Sequence, residues 1–168
     1  MGLPITLSEI APRISAGAFI LNSGLGKRGA DAETAAGMQG FAAGTYPFLK
    51  SIPPQQFAKG LANAEIALGA LLLTPFVPTA VAGAALTVFS GGLLGLYLNT
   101  PGMRKPGSLA PTEQGLAIAK DVWLLGIGIG LFTRGLMDRK PRVTVKKAHR
   151  LANKQAKQAA REARRKAA

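Results

Sequence analysis

Between Ile66 and Met103 the chain carries no charged side chain, a run of 38 residues. A single helix of that length would extend about 57 Å at ~1.5 Å per residue, nearly twice the ~30 Å hydrocarbon core of a bilayer. Pro75 and Pro78, in Thr74-Pro-Phe-Val-Pro-Thr79, interrupt the run. Proline removes a backbone donor and clashes with the preceding turn, so the chain stops and reverses there. The pattern predicts a tight helical hairpin inside a membrane. Apolar segments on either side bring the number of expected spans to four, at about 5–26, 57–75, 79–99 and 115–134. Each is close to the ~20 residues needed to cross. The sequence-based fold class is therefore an all-α membrane protein, with four transmembrane helices in a bundle.

The connecting segments are polar or rich in breakers. Residues 27–56 contain Gly29, Gly37, Gly40, Gly44, Pro47, Pro53 and Pro54. Within them, 32–43 is expected to form a short helix ended by Gly44, lying along the membrane surface or re-entering it. Thr100-Pro-Gly-Met-Arg-Lys-Pro-Gly-Ser108 reads as a turn-rich loop.

Composition fits this picture. Charged residues make up 17% of the chain, below the ~25% typical of soluble domains. The net charge of +13 is concentrated at the C-terminus. Residues 134–168 hold thirteen Lys/Arg against Asp138 and Glu162, whereas residues 1–133 hold eight against six acids. The chain is thus expected to divide into a membrane domain, 1–137, and a basic helical tail, 138–168. Ala, Lys, Arg and Gln in the tail are strong helix formers. Anionic lipid is its expected partner, and nucleic acid is the less favoured use of the same charge. Lys/Arg near the spans are more numerous on the side of the termini, which places both termini in the cytoplasm. Tyr46, Tyr97 and Trp123 then fall near the outer interface.

The chain has no cysteine and one histidine, His149. No disulfide framework, thiolate nucleophile or Cys/His metal site can be built from this set. No catalytic residue or metal ligand is assigned, and an independent enzyme is not expected.

Two constellations remain. Gly83, Thr87, Gly91 and Gly95 recur every four residues in the third span, and Gly126 and Gly130 do the same in the fourth. Small residues let helix backbones approach closely in lipid, either within one bundle or between copies of the chain. The second constellation is charge at membrane depth, which is costly and rarely left unpaired. Glu65 in the second span and Lys120 and Asp121 in the fourth fall at similar depth, with Lys27 closing the outer end of the first. These four form an expected cluster, although Lys120 and Asp121 point about 100° apart and only one can face Glu65 squarely. Such a cluster serves either as ion pairs fixing helix register or as a polar pocket for a quinone headgroup, a proton or a small ligand. Arg13, at the inner side, is expected to anchor at the interface or to partner a helix end.

Three stretches resemble the DoxX family of small bacterial membrane proteins. They are Arg13-Ile-Ser-Ala-Gly-Ala-Phe-Ile-Leu-Asn-Ser-Gly-Leu-Gly-Lys27, Ala64-Glu65-Ile-Ala-Leu-Gly69 with the leucines that follow, and Lys120-Asp121-Val-Trp-Leu-Leu-Gly126. The match covers about residues 10–135. The resemblance implies a four-helix protein of the bacterial inner membrane and points to Arg13, Lys27, Glu65 and Asp121. Members of that family are linked to membrane redox systems, including a small subunit of a thiosulfate:quinone oxidoreductase. The implied function is an accessory or anchoring subunit of a redox complex, with quinone as the candidate cofactor and redox proteins as partners. The absence of cysteine and the long basic tail depart from the family pattern. The alternatives are a small transporter using the intramembrane charges, or a scaffold whose tail recruits partners.

Overall fold

The computed structural model describes residues 5–137. The basic tail, and with it the expectations placed on 138–168, lies outside the described residues. Among those described the protein is all-helical, with no strand. The helices are α1 (Leu7–Lys27), α2 (Ala32–Thr45), α3 (Pro54–Leu73), α4 (Thr79–Asn99), the single turn α5 (Leu116–Ala119) and α6 (Val122–Met137). A 3-10 turn, Pro47–Ser51, links α2 to α3.

Local chemistry sets the boundaries. At the start of α1, the Glu9 carboxylate accepts the Thr6 N–H at 2.8 Å, one half of a capping box. Asp31 caps α2 by accepting the Thr34 N–H at 2.8 Å. That hydrogen bond holds the exposed carboxyl below the usual aspartate range. Pro54 begins α3 and Pro78 immediately precedes α4, positions where a missing N–H costs nothing. The loop after α4 contains two proline–glycine turns. Met103 N–H donates to Thr100 O and Ser108 N–H to Lys105 O. Gly102 and Gly107 take φ of +84° and +67°, as the third position of a type II turn requires.

Among the described residues two helices are long and apolar enough to cross a membrane: α4, and the run Leu116–Met137 that joins α5 to α6. α1 and α3 match them in length, at 21 and 20 residues. They carry Glu9, Arg13 and Lys27, and Lys59 and Glu65, respectively, which lowers their hydropathy.

One buried cluster draws equally on the four longest helices: Ala16 and Ile20 of α1, Leu68 and Leu72 of α3, Ala82 and Leu86 of α4, Leu124 and Leu131 of α6. Packing is antiparallel within pairs. A Cβ on Gly17 would meet Leu72 and one on Gly24 would meet Ala62 and Glu65, so α1 and α3 run in opposite directions. Between α4 and α6, Gly83 meets Leu131 and Phe132, Gly128 meets Thr87, and Gly135 meets Ala80. Glycine at these points lets backbone lie against backbone.

Sequence periodicity selects only part of this seam. Gly83 packs against α6, and Gly95 packs against the Tyr46 hydroxyl rather than a helix. Gly91, Gly126 and Gly130 have nothing within 4 Å. The physical reason is rotation about the axis: two residues along a helix turn the side chain by about 200°. Gly128 therefore faces α4, and its neighbours in the 126/130 row face away. Large apolar side chains also point outward, among them Phe76 at 77% and Trp123 at 70% exposure. Tyr97, near the end of α4, is buried and donates its hydroxyl hydrogen to Leu109 O of the following loop at 2.6 Å.

Candidate functional site

The antiparallel pairing of α1 and α3 brings Lys27, the last residue of α1, alongside Glu65, in the middle of α3. Lys27 Nζ donates to Glu65 Oε2 at 2.8 Å and to Ser23 Oγ at 2.6 Å. Gly24 makes this approach feasible, because a Cβ there would lie 2.9 Å from Glu65 Cβ and 2.8 Å from Ala62 O. Glu65 is buried, whereas the Lys27 side chain keeps 27% of its surface accessible. The ion pair therefore has a dry end and an open end, and the open end faces a cavity.

That cavity has a volume of about 630 Å³. Ser23, Lys27, Glu65 and Asp121 line its polar part, and its walls are apolar, with Phe19 and Ile20 of α1, Phe57 and Leu61 of α3, and Val88 and Leu93 of α4. Few convergent polar groups in a largely apolar cavity are the usual make-up of a small-molecule site. Asp121 sits between α5 and α6, where Asp121 N–H bonds back to Ile118 O and Trp123 N–H to Lys120 O. These i→i+3 bonds tighten the helix locally. Asp121 is half-buried and lines the cavity, while Lys120 is exposed and is not part of the lining. The expected cluster of Lys27, Glu65, Lys120 and Asp121 therefore reduces to three, because neighbouring residues on a helix cannot face the same way.

Arg13 lies elsewhere, at the opposite end of α1. The residue is buried, and its guanidinium donates to Leu72 O (2.9 Å), Thr74 O (2.7 Å), Val77 O (3.1 Å), Leu71 O (3.4 Å) and Thr79 Oγ1 (3.4 Å). The last turn of a helix leaves carbonyls without intrahelical partners. Arg13 fills those of α3 and, through the same fork, fixes the Pro75–Pro78 turn into α4. A cation here also suits the negative end of the α3 dipole. Its place is at a helix end, remote from the cavity.

Two contributors escaped the sequence reading. Ser23 is four residues before Lys27, on the same helical face, and that spacing is the signal that could have found it. Met38, Phe41 and Ala42 of α2, together with Tyr46, also line the cavity. The segment read as a surface helix thus supplies a wall, which no local pattern in its alanine-rich sequence announces. Among the described residues no group of His, Cys, Asp or Glu is arranged to hold a metal ion.

Comparison with known proteins finds no matching family model, no matching curated protein and no matching solved structure.

Proposed function

We propose that this chain is a DoxX-type protein of the bacterial cytoplasmic membrane, in which α1, α3, α4 and the α5–α6 run all cross. It acts as an accessory or anchoring subunit of a membrane redox complex and takes a quinone headgroup into the cavity. Partner proteins supply the redox centre, and the basic tail holds anionic lipid. One observation carries the reading: a largely apolar cavity of about 630 Å³ has Lys27, Glu65 and Asp121 in its lining. Charges at membrane depth are expensive and are found where a membrane protein handles a polar ligand, an ion or a proton. The apolar walls suit the ring and tail of a quinone, and the polar end suits its oxygens. The three motif resemblances point to the same positions.

The test is affinity purification of the tagged full-length protein in mild detergent, followed by identification of co-purifying proteins and extracted quinones. Recovery of an oxidoreductase or a quinone is expected, and a reproducibly partner-free, quinone-free protein rejects the reading. Glu65→Gln keeps the size of the side chain and removes its charge. It is expected to lower quinone-linked electron transfer at least about tenfold while the protein still accumulates, a loss of ~1.4 kcal/mol at the site. Unchanged electron transfer in Glu65→Gln would reduce the cluster to an ion pair fixing helix register.

Membrane topology is testable separately because the chain has no cysteine. With four spans and cytoplasmic termini, the loop between α4 and α5 lies outside. Ser108→Cys is then labelled in intact cells by a membrane-impermeant maleimide. Labelling only after lysis contradicts this topology.

A further inference from the structure

The cavity's polar end is unbalanced. It holds two carboxylates, Glu65 and Asp121, and one ammonium, Lys27. Lys27 is engaged with Glu65 at 2.8 Å and with Ser23 at 2.6 Å, so two of its three donors are used. Asp121 lines the same space and lies within electrostatic reach of both charges. Yet its carboxylate accepts no hydrogen bond among the described residues, whereas Glu65 is paired. The cavity therefore holds one spare ammonium N–H and one unpaired carboxylate in its lining. A ligand that accepts from the first and donates to the second satisfies both.

A quinone carbonyl can only accept. It can meet the remaining Lys27 N–H, but its lone pairs then stand against the Asp121 carboxylate. A hydroquinone hydroxyl has both a lone pair and a proton, so it accepts from Lys27 and donates to Asp121. Hydrogen bonds to ionised acceptors are the stronger kind, and leaving a desolvated carboxylate without a donor is costly. Resting on the quinone reading above, we propose that this cavity binds the reduced hydroquinone form in preference to the quinone, with Asp121 as the residue that discriminates between them. The protein would thus hold the product of a quinone-reducing partner, or the substrate of a quinol-oxidising one.

The experiment uses the full-length protein in detergent and a short-tailed benzoquinone and its hydroquinone as probes, titrated calorimetrically without oxygen in mildly alkaline buffer. The hydroquinone is expected to bind about tenfold tighter or more, the size of one charge-assisted hydrogen bond. Asp121→Asn replaces an obligate acceptor with a group that both donates and accepts. It is expected to shrink the preference to about threefold or less, chiefly by tightening the quinone and weakening the hydroquinone. Equal affinity for the two probes in the native protein overturns the preference while leaving the quinone reading intact. Failure of both probes to bind overturns both the preference and the quinone reading. Persistence of the full preference in Asp121→Asn removes Asp121 from its role. The native comparison needs no variant, so a poorly folding Asp121→Asn would not shield the proposal.

Discussion

Arg13→Met will leave little folded protein. Methionine fills much of the aliphatic volume of arginine, so lost packing is a small part of the effect. What disappears is a planar set of donors that reaches five oxygens across Leu71 to Thr79. Leu72 is 1% and Thr79 8% exposed, so water cannot substitute freely. Each buried carbonyl left without a donor costs ~1–3 kcal/mol, and even two such losses reach ~3 kcal/mol or more. That is a large fraction of the ~5–15 kcal/mol by which a domain of this size is stable. Arg13→Lys should recover only part of it. An ammonium is a point charge with three donors and cannot span the fork that the guanidinium fills. Membrane abundance and the melting temperature in detergent read the result, in the order native, Arg13→Lys, Arg13→Met. A melting temperature for Arg13→Met equal to that of the native protein would show that the carbonyls find other partners and that Arg13 does not hold the α3–α4 turn.

Arg13 also marks the boundary of what the sequence could reveal. A charged residue in an apolar segment signals that it needs a partner, and a helix end was among those anticipated. Four of the five acceptors, however, are backbone oxygens 58 to 64 residues away, and backbone oxygens leave no trace in residue type. The turn itself was legible because Pro75 and Pro78 act locally. The 79–99 span was read at the bounds α4 adopts, since Pro78 starts it and no charge disturbs it. The 32–43 helix emerges as Ala32–Thr45: Asp31 is a local signal for its start, whereas Gly44 stays within the helix and does not end it. Around the cavity the limit is rotational. Spacing placed Glu65, Lys120 and Asp121 at similar depth, with Lys27 at the outer end of the first span, but their facing depends on how α1, α3 and the α5–α6 run turn about their axes. The tightened backbone at Lys120–Asp121 settles that choice for Asp121, and neither residue's identity foretells it. α2 shows the same limit from another side: its contribution to the wall comes from tertiary placement against α3 and α4 alone.

The glycines turn this rotational limit into a second large effect. Gly83→Ala is expected to destabilise the protein strongly, whereas Gly126→Ala and Gly130→Ala should be neutral or slightly stabilising. At Gly83 the added methyl would fall on the backbone of Leu131 and Phe132, and at Gly135 on that of Ala80. Backbone has no alternative rotamer, so α4 and α6 must separate. Separation breaks the Thr87–Gly128 contact one turn along and loosens Leu86 and Leu131, which are 0% and 4% exposed. Overpacking of this kind costs ~1–3 kcal/mol, at its upper end where rigid atoms collide. At Gly126 and Gly130 the methyl meets open space, and alanine is favoured over glycine in a helix interior by up to ~1 kcal/mol. Melting temperatures of the three variants in detergent separate the cases. The same set tests self-association, because a seam between copies of the chain would need the faces that the monomer leaves open. If Gly126→Ala lowers the melting temperature as much as Gly83→Ala and shifts the protein to a smaller size on gel filtration, the outward glycines pack against a second copy. If only Gly83→Ala destabilises, the close helix approach belongs to the α4–α6 seam within one chain.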